Sequence, residues 1–390
     1  MNEKSKKILR PLYVFAFVEA LIFWYATEKL LWNSRGITAE QIILLGIIAQ
    51  SSQVLIEVPS SILADRWSRR KTLMLSSVFM LISILIVLSS QTFTSFAIMA
   101  LAWALYFSFQ SGTINAYIFD LLKEKGEESQ YRKALSRFAT LQLSGAILAS
   151  LAASPLVEIG SFLTPYQLTL VPTIVAILLL WKMHDPPIER TKQSTGKVHN
   201  HVKAAIKNIN KKSWLRLVFV SLAFITAGRF IWYEYYQLYA LNREITALLF
   251  GAILALILIG NILGSEFAHR VRRPSIIMAT SFIMMIASSI SLAFVSSTPV
   301  VIFLLMVCFF GSQASSIVLD ESLQHETDSE LRATTLSLMG LMSRIIFGIG
   351  ALVIINFNAT PEAIALVSTV IFLGITICWP AAKNIYVSAE

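Results

Sequence analysis

The chain has 390 residues, of which 56% are hydrophobic and only 14% charged, and it carries a net charge of +9. Soluble domains carry about 25% charged residues, so this composition excludes an ordinary soluble globule and implies a large lipid-facing surface. A basic balance can mean nucleic acid. Here, however, 26 of the 32 Lys and Arg fall on one side once the apolar stretches are laid out, which is the positive-inside pattern of a membrane protein.

Twelve apolar stretches read as membrane spans, at 11–32, 41–63, 72–91, 94–119, 137–157, 164–182, 214–236, 245–267, 275–296, 298–320, 333–356 and 361–381. Each is close to the roughly twenty residues that cross about 30 Å of hydrocarbon. The fold expected is an all-α membrane protein with twelve transmembrane helices and both termini cytoplasmic. Residues 1–10 are basic and precede an apolar run, like a signal peptide. The run is too long and lacks a small-x-small cleavage site, so it is expected to stay as the first span.

Between the second and third spans, Asp65 to Lys71 packs four cations into seven residues. Such a turn must lie at a membrane surface, and Asp65 stands i,i+4 from Arg69, the spacing of a helical charge pair. The longest polar stretch, 184–213, begins Asp185-Pro-Pro and holds seven Lys or Arg. Its later part reads either as an interfacial helix, with Val202, Ala205, Ile206 and Ile209 on one face and Lys203, Lys207 and Lys211 on another, or as a disordered basic linker. It divides the chain into a six-helix bundle at 1–183, a cytoplasmic linker at 184–213 and a second six-helix bundle at 214–390. Repetition supports the division. Asp120 and Arg132 recur as Asp320 and Arg332 at an offset of 200, while Ser61, Asp65, Arg66 and Arg69 recur as Ser265, His269, Arg270 and Arg273 at 204. A duplicated six-span unit is the layout of one large transporter class.

On these residues the sequence resembles the major facilitator superfamily over its whole length. The family signature between spans two and three, G-x-x-x-D-R-x-G-R-R, is matched by Ser61, Asp65, Arg66, Ser68, Arg69 and Arg70, with serine at both glycine positions. The resemblance implies a gate in which Asp65 caps the amino end of span eleven and Arg69 pairs with Asp120. Arg66, Arg132, Asp320 and Arg332 complete the set of gating candidates. The alternative is that these charges only anchor topology. Glu57-Val-Pro59 to Lys71, with Ser111-Gly112-Thr113 to Asp120, looks most like the bacterial drug-efflux branch, which implies a bacterial cytoplasmic membrane. Span four lacks that branch's Arg, and span five lacks the Gly-Pro-x-x-Gly-Gly element associated with antiporters.

The resemblance also implies that spans one, four, seven and ten line a central cavity between the halves. Charges inside a membrane are costly and mark function. Glu19 lies about 12 Å into span one at 1.5 Å per residue, with Phe15 and Phe23 at i−4 and i+4, and is the candidate to hold a proton or a cationic substrate. In span seven Arg229, Trp232, Tyr233 and Tyr236 share a face, and Arg229 has Glu234 or Glu28 as a candidate partner. Tyr235 and Tyr236, near the outer end, read as an interfacial aromatic belt, whereas Trp232 and Tyr233 lie deeper and can stack on a flat or cationic ligand. Trp103, Tyr106, Gln110 and Asn115 of span four and Phe309 and Gln313 of span ten complete the candidate cavity.

Nothing in the chain points to catalysis. It has no phosphate-cradling Gly loop, no His-Glu-x-x-His and no Gly-x-Ser-x-Gly. His199 and His201 lack further ligands, so neither a metal nor a cofactor is expected. The function expected is proton-coupled efflux of amphipathic or cationic small molecules by alternating access. The alternatives are nutrient or lysolipid transport with other coupling, or a transporter-like sensor that moves nothing. The expected partners are a small-molecule substrate, protons and the lipid bilayer, and two halves in one chain predict a monomer.

Overall fold

The computed structural model describes residues 3–186, 198–271, 273–327 and 331–375, and these are helical almost throughout. The helices fall into two compact units, Met1–Lys192 with Ala247–Ala255, and Gln193–Thr246 with Leu256–Glu390.

The first unit contains α1 (Glu3–Glu19), α2 (Glu28–Ser34), α3 (Ala39–Arg66), α4 (Arg69–Ser89), α5 (Phe93–Gln110), α6 (Thr113–Lys123), α7 (Tyr131–Ile159) and α8 (Thr164–Lys182). Here α4 packs on α5 and α8, α3 on α5, and α1 on α7. The second unit contains α9 (Val198–Lys211), α10 (Ser213–Asn242), most of α11 (Phe250–Arg270), α12 (Pro274–Leu292), α13 (Thr298–Glu326), α14 (Arg332–Asn356) and α15 (Pro361–Leu373). In it α12 packs on α13 and α15, and α10 on α13, α14 and α15. Among the described residues ten helices are long and apolar enough to cross a membrane, and α15 is a shorter apolar helix. The rest of the twelfth predicted span, from residue 376, lies outside the described residues.

Two predicted spans are broken. The stretch 11–32 is not one helix. α1 stops at Glu19, residues 20–27 run through turns, and α2 starts at Glu28. This segment has neither Gly nor Pro, so the cause is tertiary. The Phe23 amide donates to Thr169 Oγ1 at 3.1 Å, and Trp24 stacks on Tyr166 with ring centres 5.0 Å apart and planes 5° from parallel. Both partners belong to α8. The aromatic and β-branched residues 22–27 have little intrinsic helix preference to resist them. On the opposite side α7 comes in close, because a Cβ on Gly145 would lie 2.5 Å from the Phe17 carbonyl oxygen.

The stretch 94–119 is also two helices. α5 ends at Gln110, and Gly112 takes φ 72° and ψ −32° before α6 begins, a conformation that only glycine adopts cheaply. In the second unit α10 and α13, the corresponding spans seven and ten, run for 30 and 29 residues without a break.

The basic run at 65–71 likewise differs from the predicted turn. α3 continues through Asp65 and Arg66, and only Trp67 and Ser68 separate it from α4. A helix boundary therefore falls between Asp65 and Arg69, and their i,i+4 spacing is not that of one helix. The side chains of Asp65 and Arg66 lie outside the described residues. In the 184–213 segment residues 198–211 form α9, which packs on α10 and α14; residues 187–197 are outside the description.

Candidate functional site

At one end of the first unit, the amino terminus of α4 gathers polar partners. Ser68 is its N-cap, accepting from the Lys71 amide at 3.1 Å, and its hydroxyl reaches the Asp185 carboxylate at 2.7 Å. Arg70 sits 3.6 Å from Asp185 and donates to the Trp181 carbonyl at 2.6 Å. A carboxylate at a helix amino end is favoured by the dipole, and at α4 that carboxylate is Asp185. Arg69 Nε donates to Asp120 Oδ2 at 2.9 Å, both side chains about four-fifths buried. Next to this pair, Tyr117 donates to the His184 carbonyl at 2.5 Å. The His184 ring also meets Glu124 at 2.6 Å. Hydrogen bonds from Lys125 and His184 hold the Glu124 carboxyl below the usual carboxylate range.

The repeat of this arrangement proposed from the sequence does not appear as a second ion pair. Asp320 lies inside α13 rather than at its end and accepts from Gln324. Arg332 Nε donates to the Gln324 carbonyl at 3.2 Å, and Arg132 is exposed on the first turn of α7.

Deeper in the first unit, Glu19 is the last residue of α1 and only 8% exposed. Its Oε1 lies 3.5 Å from the Ser77 hydroxyl, while Oε2 is buried without a hydrogen-bond partner. Tyr106 and Gln110 of α5 stand beside the same carboxyl. A buried polar atom without a partner costs about 1–3 kcal/mol, more if charged. The break in α1 carries Phe23 away from Glu19, so it is not the i+4 neighbour predicted. Phe15 is fully buried in the core with Leu12, Tyr117 and Phe138, and packs there instead of lining a cavity.

Aromatic rings surround the break. Trp24 meets Trp103 edge-on at 4.9 Å, and Trp103 stacks on Tyr106 at 5.1 Å. On the other side of Gln110 a cleft of about 360 Å³ opens where α5 gives way to α6, lined by Phe107, Gln110, Ser111, Asn115, Phe138 and Gln142 among others. The predicted pair Gln110 and Asn115 thus meets in one cleft. Ser77 and Gln142 were missed; each is a polar residue within a predicted apolar span, which was the available signal.

In the second unit Arg229 donates to Asn261 Oδ1 at 3.3 Å, in place of the acidic partners expected. Asn261 Nδ2 donates to the Tyr233 hydroxyl at 2.6 Å, and the Tyr233 ring meets Phe309 edge-on at 4.6 Å. Gln313 donates to Ser265 at 3.2 Å. Glu234, partly exposed, lies one residue past Tyr233 on α10. Trp232 is fully buried and packs edge-on against Tyr239 at 5.5 Å. Tyr235 and Tyr236 are also fully buried, so these two do not form the interfacial belt expected of them. Asn261 was missed, although an amide in the middle of an apolar span was its signal.

The chain is all-helical among the described residues, with many apolar spans, two of them broken. The family model of the Major Facilitator Superfamily matches residues 11–351. The chain belongs to this superfamily. It is therefore a multi-pass membrane transporter and not an enzyme. No curated protein matched the sequence. Among solved structures of similar fold, the nucleoside transporter NupG has a TM-score of 0.76 at 13% identity, covering 97% of this chain and 99% of its own. A POT family transporter in complex with a thioalcohol-conjugated peptide has a TM-score of 0.75 at 14% identity, with coverages of 97% and 96%. A D-xylose–proton symporter has a TM-score of 0.70 at 14% identity, with coverages of 94% and 97%. At these identities the likeness is one of fold alone.

Proposed function

We propose that this superfamily member is a proton-linked secondary transporter of a small polar solute, working by alternating access. The observation that carries the reading is the position of Gln110. Its amide stands beside the half-satisfied Glu19 carboxyl on one side and lines the cleft at the α5–α6 break on the other. A solute bonded in that cleft therefore shares a hydrogen-bonding group with the residue that takes the proton. Discontinuous helices that expose backbone at membrane depth are a common way to build such sites. The cleft's side-chain polar groups are the amides of Gln110, Asn115 and Gln142 and the hydroxyl of Ser111. These suit an uncharged or zwitterionic hydrogen-bonding cargo better than a bare cation. Fold neighbours named for a nucleoside, a peptide and D-xylose support a cargo of that size and polarity. Arg229, Tyr233 and Asn261 supply a second hydrogen-bonding group in the other unit. Arg69 with Asp120 serves as a latch whose opening accompanies the change of access, and Asp65 and Arg66 belong to the same gate. The setting is a cell membrane.

A second reading is efflux of amphipathic cations. It is favoured by the buried carboxyl of Glu19 beside the stacked rings of Trp103 and Tyr106, a pairing that attracts organic cations.

Proteoliposomes with an imposed pH gradient separate the two. Labelled nucleoside, pentose and dipeptide, together with a lipophilic cationic dye, form the panel. Accumulation of an uncharged or zwitterionic member along the proton gradient is expected. Movement of the dye alone, against proton entry, would establish efflux. If nothing in the panel responds to the gradient, proton-linked transport of this class is wrong.

A further inference from the structure

The two faces of α9 do different work. Ala205, Asn208 and Ile209 are buried and hold the helix against α10 and α14. Lys203, Lys207 and Lys211 are exposed, and Lys203 and Lys207 share a helical face with Ile206 and Asn210. Between the three helices runs a groove of about 310 Å³ whose apolar lining includes Ile206, Phe219, Leu338, Leu341 and Ile345. Ile206 is 45% and Ile345 55% exposed, so the groove is open along its length. Arg216, in the first turn of α10, lines the same groove.

The charge on this rim is not neutralised from within. Among the described residues no carboxylate lies within ion-pair distance of Lys203, Lys207, Lys211 or Arg216, and the nearby acid Glu326 is engaged by Lys212 at 2.7 Å. An apolar trough ending on unpaired cations, beside an amphipathic helix of the interfacial type, is complementary to one class of molecule. That class joins a hydrocarbon chain to an anionic phosphate.

We propose that this groove is a binding site for one anionic phospholipid, with an acyl chain along Phe219, Leu338, Leu341 and Ile345 and the phosphate held by Arg216 and Lys207. Arg offers phosphate a planar fork of donors, and Lys207 adds a point charge from the neighbouring helix. A lipid seated there joins α9 to the first turns of α10 and α14. The basic segment between the halves is thereby fixed by the leaflet it faces, whatever the cargo.

The test uses the purified full-length chain in detergent, with lipid retention followed by native mass spectrometry. Each surface cation contributes about fivefold to anionic lipid binding. Phosphatidylglycerol should therefore be retained at least tenfold more strongly than phosphatidylcholine. The double variant Lys207→Gln with Arg216→Gln should bring the two lipids to near parity. Both side chains are exposed, so helicity and monodispersity should not change. Leu341→Trp, which alters no charge and fills the trough, should weaken retention of both lipids. Equal retention of the two lipids by the unaltered chain would overturn the proposal, as would a tenfold preference that survives the double variant. Displacement of phosphatidylglycerol by millimolar inorganic phosphate would show an anion site without a lipid, and would overturn it too.

Discussion

The two units answer the same membrane with different helices. In the first, the spans at the start and in the middle are each cut in two, and the cuts carry Glu19 and Gln110. In the second, α10 and α13 pass unbroken, and their polar groups are bonded from α11: Arg229 and Tyr233 to Asn261, and Gln313 to Ser265. The partly buried Arg229, in a continuous helix, takes a neighbour's amide oxygen. The Glu19 carboxylate, at a helix end, keeps one buried oxygen, Oε2, without a hydrogen-bond partner. On the function proposed above, this difference corresponds to a division of labour, with proton handling in the first unit and solute binding shared by the second.

The largest expected effect tests that division. Glu19→Gln should abolish accumulation driven by a pH gradient while leaving solute exchange between equal concentrations, measured in proteoliposomes. Arg229→Gln should instead raise the KM for transport about tenfold, the scale of one lost charge-assisted hydrogen bond, and keep the gradient dependence. The opposite pattern would reverse the assignment of the two units.

The next effects concern the breaks themselves. Gly145→Leu forces side-chain atoms against the Phe17 carbonyl, a backbone group that cannot turn away, and should cost about 3 kcal/mol of stability. Thermal unfolding in detergent reads it. Gly112→Ala should cost about 2 kcal/mol, and purely through the backbone, since a Cβ there meets nothing within 4 Å. Ser312→Gly, at the matching place in the unbroken α13, should cost less than 1 kcal/mol. If both changes cost the same, the break at Gly112 is not what glycine is there for.

The smallest effect is one of pH. Glu124 sits below the usual carboxylate range when folded, so its contribution is complete above its unfolded pKa and fades as pH falls through the lower folded value. Partial exposure keeps it to about 0.3 kcal/mol. The unaltered chain should lose this increment on acidification below about pH 4, and Glu124→Gln should lack that part of the slope in urea titrations.

The pairing of Arg69 with Asp120 was expected only because the resemblance to the family implied it. Asp185 was not. Its Asp-Pro-Pro context marks the end of a helix and says nothing of a second helix start 117 residues earlier in the chain. The break at Gly112 had a local sign in Ser111-Gly112, whereas the break after Glu19 had none, because Thr169 and Tyr166 of α8 impose it. Nor could spacing along α10 give the environment of Trp232. Its packing on Tyr239 depends on which side of α10 the neighbouring helices cover.

By itself the sequence determined the membrane setting, the apolar lengths of most spans, the bias of positive charge and the family. The first three follow from local composition, because hydrocarbon accepts only long apolar helices with satisfied backbones, and the family from the motif between spans two and three. Tertiary structure alone decided where α1 stops, that Glu19 is left with one unsatisfied oxygen, and that Gln110 stands beside both the Glu19 carboxyl and a cleft. Each is a balance among groups far apart in the chain, in which a hydroxyl or ring on one helix competes with the internal bonds of another.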